Sequence, residues 1–495
     1  MWLVRAAFND IQMGRYVDIH CHPGMKGFSK SFKYVPTGQN SLDPKKKNSI
    51  WKQKKPSFGQ KLVNRLITLT KFTQTDMTTL ASSGVDLAVI SLYPFEKHFL
   101  SRRIWGWKGL TDLLVNLAAG ISQKRIDHIL RHGDYFQDLK EELAYYKQLD
   151  NQVVRIDGIF YTYRLVNSFE QIEANRQLSV GNKRIISLVI SIEGAHVLNT
   201  GLKIDSPIAE PNQVLANLQE LKSWEFRPLF LTFAHHFYNE LCGHAPSISL
   251  SLIKKNQLWG LDTGFTSLGL EVLHEMLNNN NKDRILIDVK HMSLASRRTY
   301  YQILDQQYAD EDIPVIASHG ACSGWKSLDD AATAYPERTQ WFNPVSINFC
   351  DQEIVRMARS NGLFGIQLDE RRIGSKKAIK ASKKFWPNKR KQLNRKALLV
   401  WRQVEHMAEI LNSEGLFAWG IQSIGSDFDG IVDPINGLWT ATNMKDLSEE
   451  LLNHARVYLD IHSQELQPFN RLSAQEIVSR VMSLNAEEFI RKYYR

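Results

Sequence analysis

Apolar residues gather in short runs along this chain, and most of the gaps between runs carry helical spacing. Val85–Leu92 and Ile185–Ile192 are almost continuously apolar and rich in β-branched residues, as strands buried on both faces are. Shorter runs of the same kind are Tyr16–Pro23, Pro228–Phe233, Arg284–Val289, Ile313–Ser318, Gly362–Leu368 and Trp419–Ile424. Apolar positions at helical intervals predict helices near Thr75–Ser83, Trp107–Gln123, Tyr135–Leu149, Val214–Trp224, Thr266–Leu277, Leu294–Asp305, Asp351–Ser360, Ala397–Asn412, Leu447–Val457 and Ala474–Ser483. Eight strands separated mostly by helices predict an α/β fold, a (β/α)8 TIM-like barrel.

The stretch Tyr16-Val17-Asp18-Ile19-His20-Cys21-His22-Pro23 carries the first candidate chemistry. Side chains alternate along a strand, so His20 and His22 leave on one side and can grip one metal ion. Other metal-friendly residues sit where the remaining strands end. Glu193 ends the third, His235 the fourth and His319 the sixth, while His291 follows the fifth and Asp427 the eighth. In this fold the C-terminal strand ends form the rim where active sites lie, so residues hundreds of positions apart converge there. That joint placement points to a metal centre.

Length and charge refine the picture. At 495 residues and 43% hydrophobic content, the chain has enough apolar surface for one large barrel domain spanning 1–495. The four cysteines, Cys21, Cys242, Cys322 and Cys350, show no zinc-ribbon or redox spacing, which suits a reducing, cytoplasmic setting. No secretory signal and no run of eighteen apolar residues is present, so no transmembrane segment is expected. The most apolar stretch, Ile104–Ile121, is broken by Asp112 and Asn116 and reads as a one-faced core or lid helix. The net charge of +10 is concentrated in two insertions, 24–71 and 371–397, after the first and seventh strands. No nucleic-acid-binding motif accompanies them, so no such partner is expected.

Six segments resemble the renal, or membrane, dipeptidases, binuclear zinc peptidases of the amidohydrolase superfamily. They are Ser191–His196, Leu231–His235, Gly264–Gly269, Leu286–Ser293, Ile316–His319 and Gly425–Gly430, in the family's order. The resemblance implies two Zn2+ ions per chain, with Glu193 bridging them. It implies that His20, His22 and Asp427 complete one site, and His291 and His319 the other. A hydroxide between the ions would be the nucleophile, and Asp427 would carry its proton to the leaving amine. His235 would contact the scissile carbonyl, while His196 and Asp429 would orient ligands, and Asp18 and Asp288 would either do the same or cap strand ends. Family members are often dimers, so a homodimer is expected on the same ground.

Two positions depart from the family pattern. His22 stands where the dipeptidases have Asp, leaving the site one unit more positive. Ile347 stands where they have an Arg that pairs with the substrate carboxylate, a contact no alkyl group replaces. Arg371 and Arg372, just past the seventh strand, are the nearest candidate substitutes within a cationic mouth formed by the two insertions. The reading is therefore a metal-dependent hydrolase cleaving a dipeptide or similar small anionic amide. The alternatives are another amide, a lactone or a deamination substrate on the same centre, or a non-catalytic barrel that holds an anionic partner.

Overall fold

The computed structural model describes residues 15–32, 41–67, 72–100, 116, 120–203, 206–248, 255–329, 340–384 and 388–494. Ten strands occur among them: β1 (Tyr16–Cys21), β2 (Val85–Leu92), β3 (Val154–Ile156), β4 (Ile159–Leu165), β5 (Lys183–Glu193), β6 (Phe230–Thr232), β7 (Leu286–Asp288), β8 (Ile316–Gly320), β9 (Leu363–Ile366) and β10 (Gln422–Ile424). Eight of them, β1, β2 and β5 to β10, pair in parallel, and the β2–β5 ladder closes the ring. These are the eight strands expected from the apolar runs, and the fold is the (β/α)8 barrel.

β3 and β4 were not expected. They form an antiparallel hairpin, and β4 lies parallel to the first half of β5, outside the ring. Its two-residue loop is Asp157-Gly158, both with left-handed backbone (φ 49° and 84°), as the twist of a tight hairpin requires.

Alternation along the strands builds two cores. Val17, Ile19, Leu87, Val89, Val189, Phe230, Leu286, Ile316 and Leu363 pack together inside the barrel. Ala486, Phe489, Ile490 and Tyr494, on and after the helix Asn485–Tyr493, join them and plug one end. The alternate residues, such as Ala88, Ile90, Leu188, Leu231 and Phe364, face the surrounding helices in a second cluster. The interior is thus packed with apolar side chains up to the level where the polar rim residues begin.

The insertions hold more structure than expected from their charge. Met25–Ser31 is a buried helix, and Lys26 within it donates to Asp429 at 2.6 Å. Phe58–Ile67 is a second helix, tied to the rim by Asn64 donating to Asp433. The segment 371–397 is not one loop. It contains short helices at Glu370–Ile373 and Lys376–Ser382, and its last part is the opening of the long helix Lys389–Ser413. Asn388 caps that helix, accepting from the Arg390 and Lys391 amides, which moves its start eight residues ahead of the predicted Ala397. Apart from Asn116 and residues 120–123, the helix expected over Trp107–Gln123 lies outside the described residues. Gln123 instead opens a helix running to Arg131 behind a Ser122 cap. Among the described residues no helix is long and apolar enough to cross a membrane.

Candidate metal centre

Simple alternation does not aim His20 at the rim, because Val17 and Ile19 already face the interior. A β-bulge makes the difference. Asp18 pairs with Ala88 and Cys21 with Ile90, so β1 advances three residues where β2 advances two. The extra residue flips the alternation and turns His20 inward. β8 repeats the device, with Ala317 opposite Phe364 and Gly320 opposite Ile366, and so delivers His319. His291 and Asp427 reach the centre by another route, a left-handed backbone (φ 66° and 58°) just past β7 and β10. Such conformations cost non-glycine residues about 1–3 kcal/mol and cluster at functional sites.

The result is a buried knot around Glu193. Its carboxylate lies 3.1 Å from His22 Nε2, 3.5 Å from His20 Nε2, 3.4 Å from His235 Nε2, 3.7 Å from His291 Nε2 and 3.5 Å from His319 Nε2. Asp427 lies 3.5 Å from His22, 3.8 Å from His20 and 3.8 Å from His319. All six expected metal ligands and His235 therefore meet in one place. Burial pushes the Glu193 carboxyl up, but His235 and His20 outweigh it and hold the group well below the usual range. Burial dominates at Asp427 and raises it.

A second layer of contacts fixes these side chains. The Asp18 carboxylate accepts from the Ser426 amide and hydroxyl, beside Asp427. The Asp288 carboxylate accepts from the hydroxyls of Thr232 and Ser318 at 2.6 Å each. Ser318 Oγ also lies 2.9 Å from His319 Nδ1, so an Nδ1–H donating to Ser318 leaves the Nε2 lone pair facing Glu193. His22 Nδ1 donates to the Ser91 carbonyl with the same effect. Asp429, in contrast, binds Lys26 and the Gln74 and Thr75 amides, so it anchors the first insertion rather than a ligand. His196 meets the Pro94 carbonyl at 2.8 Å and steadies the segment after β2.

That segment supplies a residue absent from the sequence reading. Glu96 Oε2 accepts from His235 Nδ1 at 2.6 Å, and burial's upward push on Glu96 is overcome chiefly by His235. On the other side, His235 is raised to about 10: Glu193 and Glu96 overcome the opposing effect of burial. Gln367 is likewise new, donating to Asp427 Oδ2 at 2.7 Å. Glu96 lies four residues past the end of β2, a rim position like those of the other site residues, and this was the signal available for it.

The two arginines part company. Arg371 forks onto Asp369 (2.6 and 3.0 Å) and reaches the Ile431 carbonyl. Arg372 donates to the Ser247 carbonyl, from the loop after β6, and its charge acts on Asp427, His236 and Lys290. Its backbone carbonyl accepts from Asn348, the neighbour of Ile347, at 3.0 Å.

The donor set fits bound cations. Among the described residues, His20 Nδ1 and Nε2, His22 Nε2, His291 Nδ1 and Asp427 Oδ1 are buried with no hydrogen-bond partner. Unpaired buried nitrogens around two carboxylates are costly unless a cation takes them. Imidazole and carboxylate ligands together suit zinc-like divalent ions. His20, Glu193, His319 and Asp427 offer four ligand atoms within 4.8 Å of one another.

Among solved structures, one superposition agrees with the fold. The dipeptidase AC, a metallo peptidase of family M19, superposes with a TM-score of 0.51 at 11% identity, over 97% of this chain and 98% of its own. A metallo peptidase from Rhodobacter sphaeroides, liganded with a phosphinate mimic of the dipeptide L-Ala-D-Ala, gives 0.46 at 12% identity, over 88% and 95%. The probable dipeptidase PvdM from Pseudomonas aeruginosa gives 0.44 at 12%, over 85% and 89%. No curated protein matches the chain. The sequence pattern of the membrane dipeptidase family matches residues 56–464, which include every site residue except those on and after β1. With that match covering most of its length, the chain belongs to the membrane dipeptidase family, peptidase family M19, and is a metal-dependent hydrolase of the dipeptidase type.

Proposed function

We propose that the centre holds two zinc ions and hydrolyses the amide bond of a dipeptide or a similar small anionic amide. The observation that carries this is the position of Glu193. One of its oxygens lies nearest His22 and the other lies within 3.7 Å of His235, His291 and His319, with His20 3.5 Å from that second oxygen, so the one carboxylate reaches the ligands of both ions. His20, His22 and Asp427 would hold one ion, and His291 and His319 the other. Bound zinc supplies Lewis acidity and water of lowered pKa. Asp427 is suited to move the proton to the leaving amine, because Gln367 pins one of its oxygens while the other accepts no hydrogen bond among the described residues. His235, backed by Glu96, is suited to donate to the oxyanion. Elemental analysis together with a panel of dipeptides tests the reading. Two zinc ions per chain and chelator-sensitive dipeptide cleavage are expected. Metal with turnover only on a lactone or an amino-purine-like deamination substrate would redirect it, and a chain that takes up no metal would refute it.

If Glu96 keeps His235 charged and aimed, Glu96→Gln lowers kcat for dipeptides by roughly 10- to 100-fold, below the loss from removing an oxyanion donor outright. Metal content should not change. Steady-state kinetics with elemental analysis checks both.

The substrate's anionic end falls to Arg372. Arg371 is committed to Asp369, whereas Arg372 abuts the Ile347 turn and its charge acts on the centre. Arg372→Ala should therefore cut kcat/KM for free dipeptides by about 10- to 100-fold, the loss of one charged hydrogen bond. The same change should matter little for substrates amidated at the C-terminus. Equal losses on both substrate types would remove Arg372 from this role.

A further inference from the structure

We propose that His235, His236 and His291 form a third zinc site, beside the pair, whose occupation inhibits the enzyme. This rests on the two-zinc reading above but concerns His236, which that reading does not use. Each of the three imidazoles offers a nitrogen within 4.8 Å of the other two. The ring centres are close as well, 3.9 Å for His235–His236, 5.0 Å for His236–His291 and 4.6 Å for His235–His291.

The remaining ring nitrogens show the pattern of metal ligands. A metal-binding histidine donates its other N–H to a carboxylate, carbonyl or hydroxyl, which fixes the ring and its tautomer. His235 Nδ1 meets Glu96 at 2.6 Å, and His236 Nδ1 meets Ser247 Oγ at 2.7 Å. Ser247 Oγ in turn accepts from Gln257 Nε2 at 2.5 Å, so the partner of His236 is itself held. His291 supplies the independent sign. It is 4% exposed, and among the described residues its Nδ1 has no hydrogen-bond partner. Its Nε2 lies 3.7 Å from Glu193 and 3.2 Å from His319 Nε2, which leaves Nδ1 free of that pair. A third ion bound through Nδ1 would make His291 a bridging imidazolate and release its second N–H proton to solvent, as ligand protons are released on metal binding.

Inhibition follows from which groups are taken. A cation on His235 Nε2 removes the donor assigned to the oxyanion and stands where the substrate carbonyl must come. Substrate and the third ion therefore compete.

The test titrates Zn2+ into enzyme already holding its pair, measuring bound zinc by equilibrium dialysis with elemental analysis, and dipeptide turnover in parallel. The expected result is a third equivalent whose uptake tracks a loss of activity that added substrate reverses. Removing a group that only orients a ligand costs roughly 10- to 100-fold in metal affinity. His236→Ala, which removes the ligand itself, should weaken the third ion at least that much while turnover at low zinc stays as in the unmodified enzyme. Ser247→Ala keeps all three rings and should weaken it by roughly tenfold, so the test stands even if the first variant misfolds. Saturation of the unmodified enzyme at two ions, or an undiminished third ion in both variants, overturns this site and leaves the pair intact. A chain that binds no zinc overturns both.

Discussion

Glu193→Gln should leave the protein folded, strip it of tightly bound metal and lower dipeptide turnover by roughly 10²- to 10⁴-fold. Five imidazoles lie within 3.7 Å of this carboxylate, and among the described residues no other acidic group meets all of them. The substitution keeps the shape and removes the charge. Removing a group that only orients a metal ligand costs roughly 10- to 100-fold in metal affinity or activity, and Glu193 would serve both ions, so the losses compound. Elemental analysis, circular dichroism and steady-state kinetics on the purified variant measure all three parts. Full metal content with near-normal turnover would mean that Glu193 is not the shared ligand.

The second large effect is on stability and comes from a residue that bears no functional group. Gly425→Ala should destabilise the fold by about 3 kcal/mol or more, at the upper end of what overpacking costs. A Cβ at Gly425 would stand 2.0 Å from the Ser318 carbonyl oxygen, and one at Gly365 would stand 1.9 Å from the same atom. The bulge that turns His319 inward also carries this carbonyl, and two neighbouring strands make room for it with glycine. Backbone is on the receiving end, so nothing can swing aside. Gly264 is the control: no described residue lies within 4 Å of a Cβ there, and Gly264→Ala should stay within about 0.5 kcal/mol of the parent. Thermal or denaturant unfolding of both variants decides it. Equal stabilities would show that the β8 bulge tolerates crowding.

These two cases also mark what could be read from the chain itself. The eight barrel strands were legible because strands covered on both faces must be apolar almost throughout, as Val85–Leu92 and Ile185–Ile192 are. The site residues were legible because each stands at a strand end. The bulges were not, since Asp18-Ile19-His20-Cys21 reads as plain alternation until its neighbour's register is known. The β3–β4 hairpin had a usable signal, Asp157-Gly158 between residues with β propensity, but it falls outside the strand-helix rhythm that picked out the barrel. Arg371 and Arg372 are adjacent and identical in type. Only packing separates them, because Asp369 captures the first and the loop carrying Ser247 meets the second. Asp429 looked like a ligand-orienting group, two residues from Asp427, yet its partner is Lys26, some four hundred residues away.

The most direct test of the account is anomalous diffraction at the zinc edge from crystals of metal-loaded protein. Two peaks are expected, each about 2.0–2.2 Å from an oxygen of Glu193, one near His20 and His22 and the other near His291 and His319. A single peak, or a fully loaded protein whose metal lies away from Glu193, would contradict it.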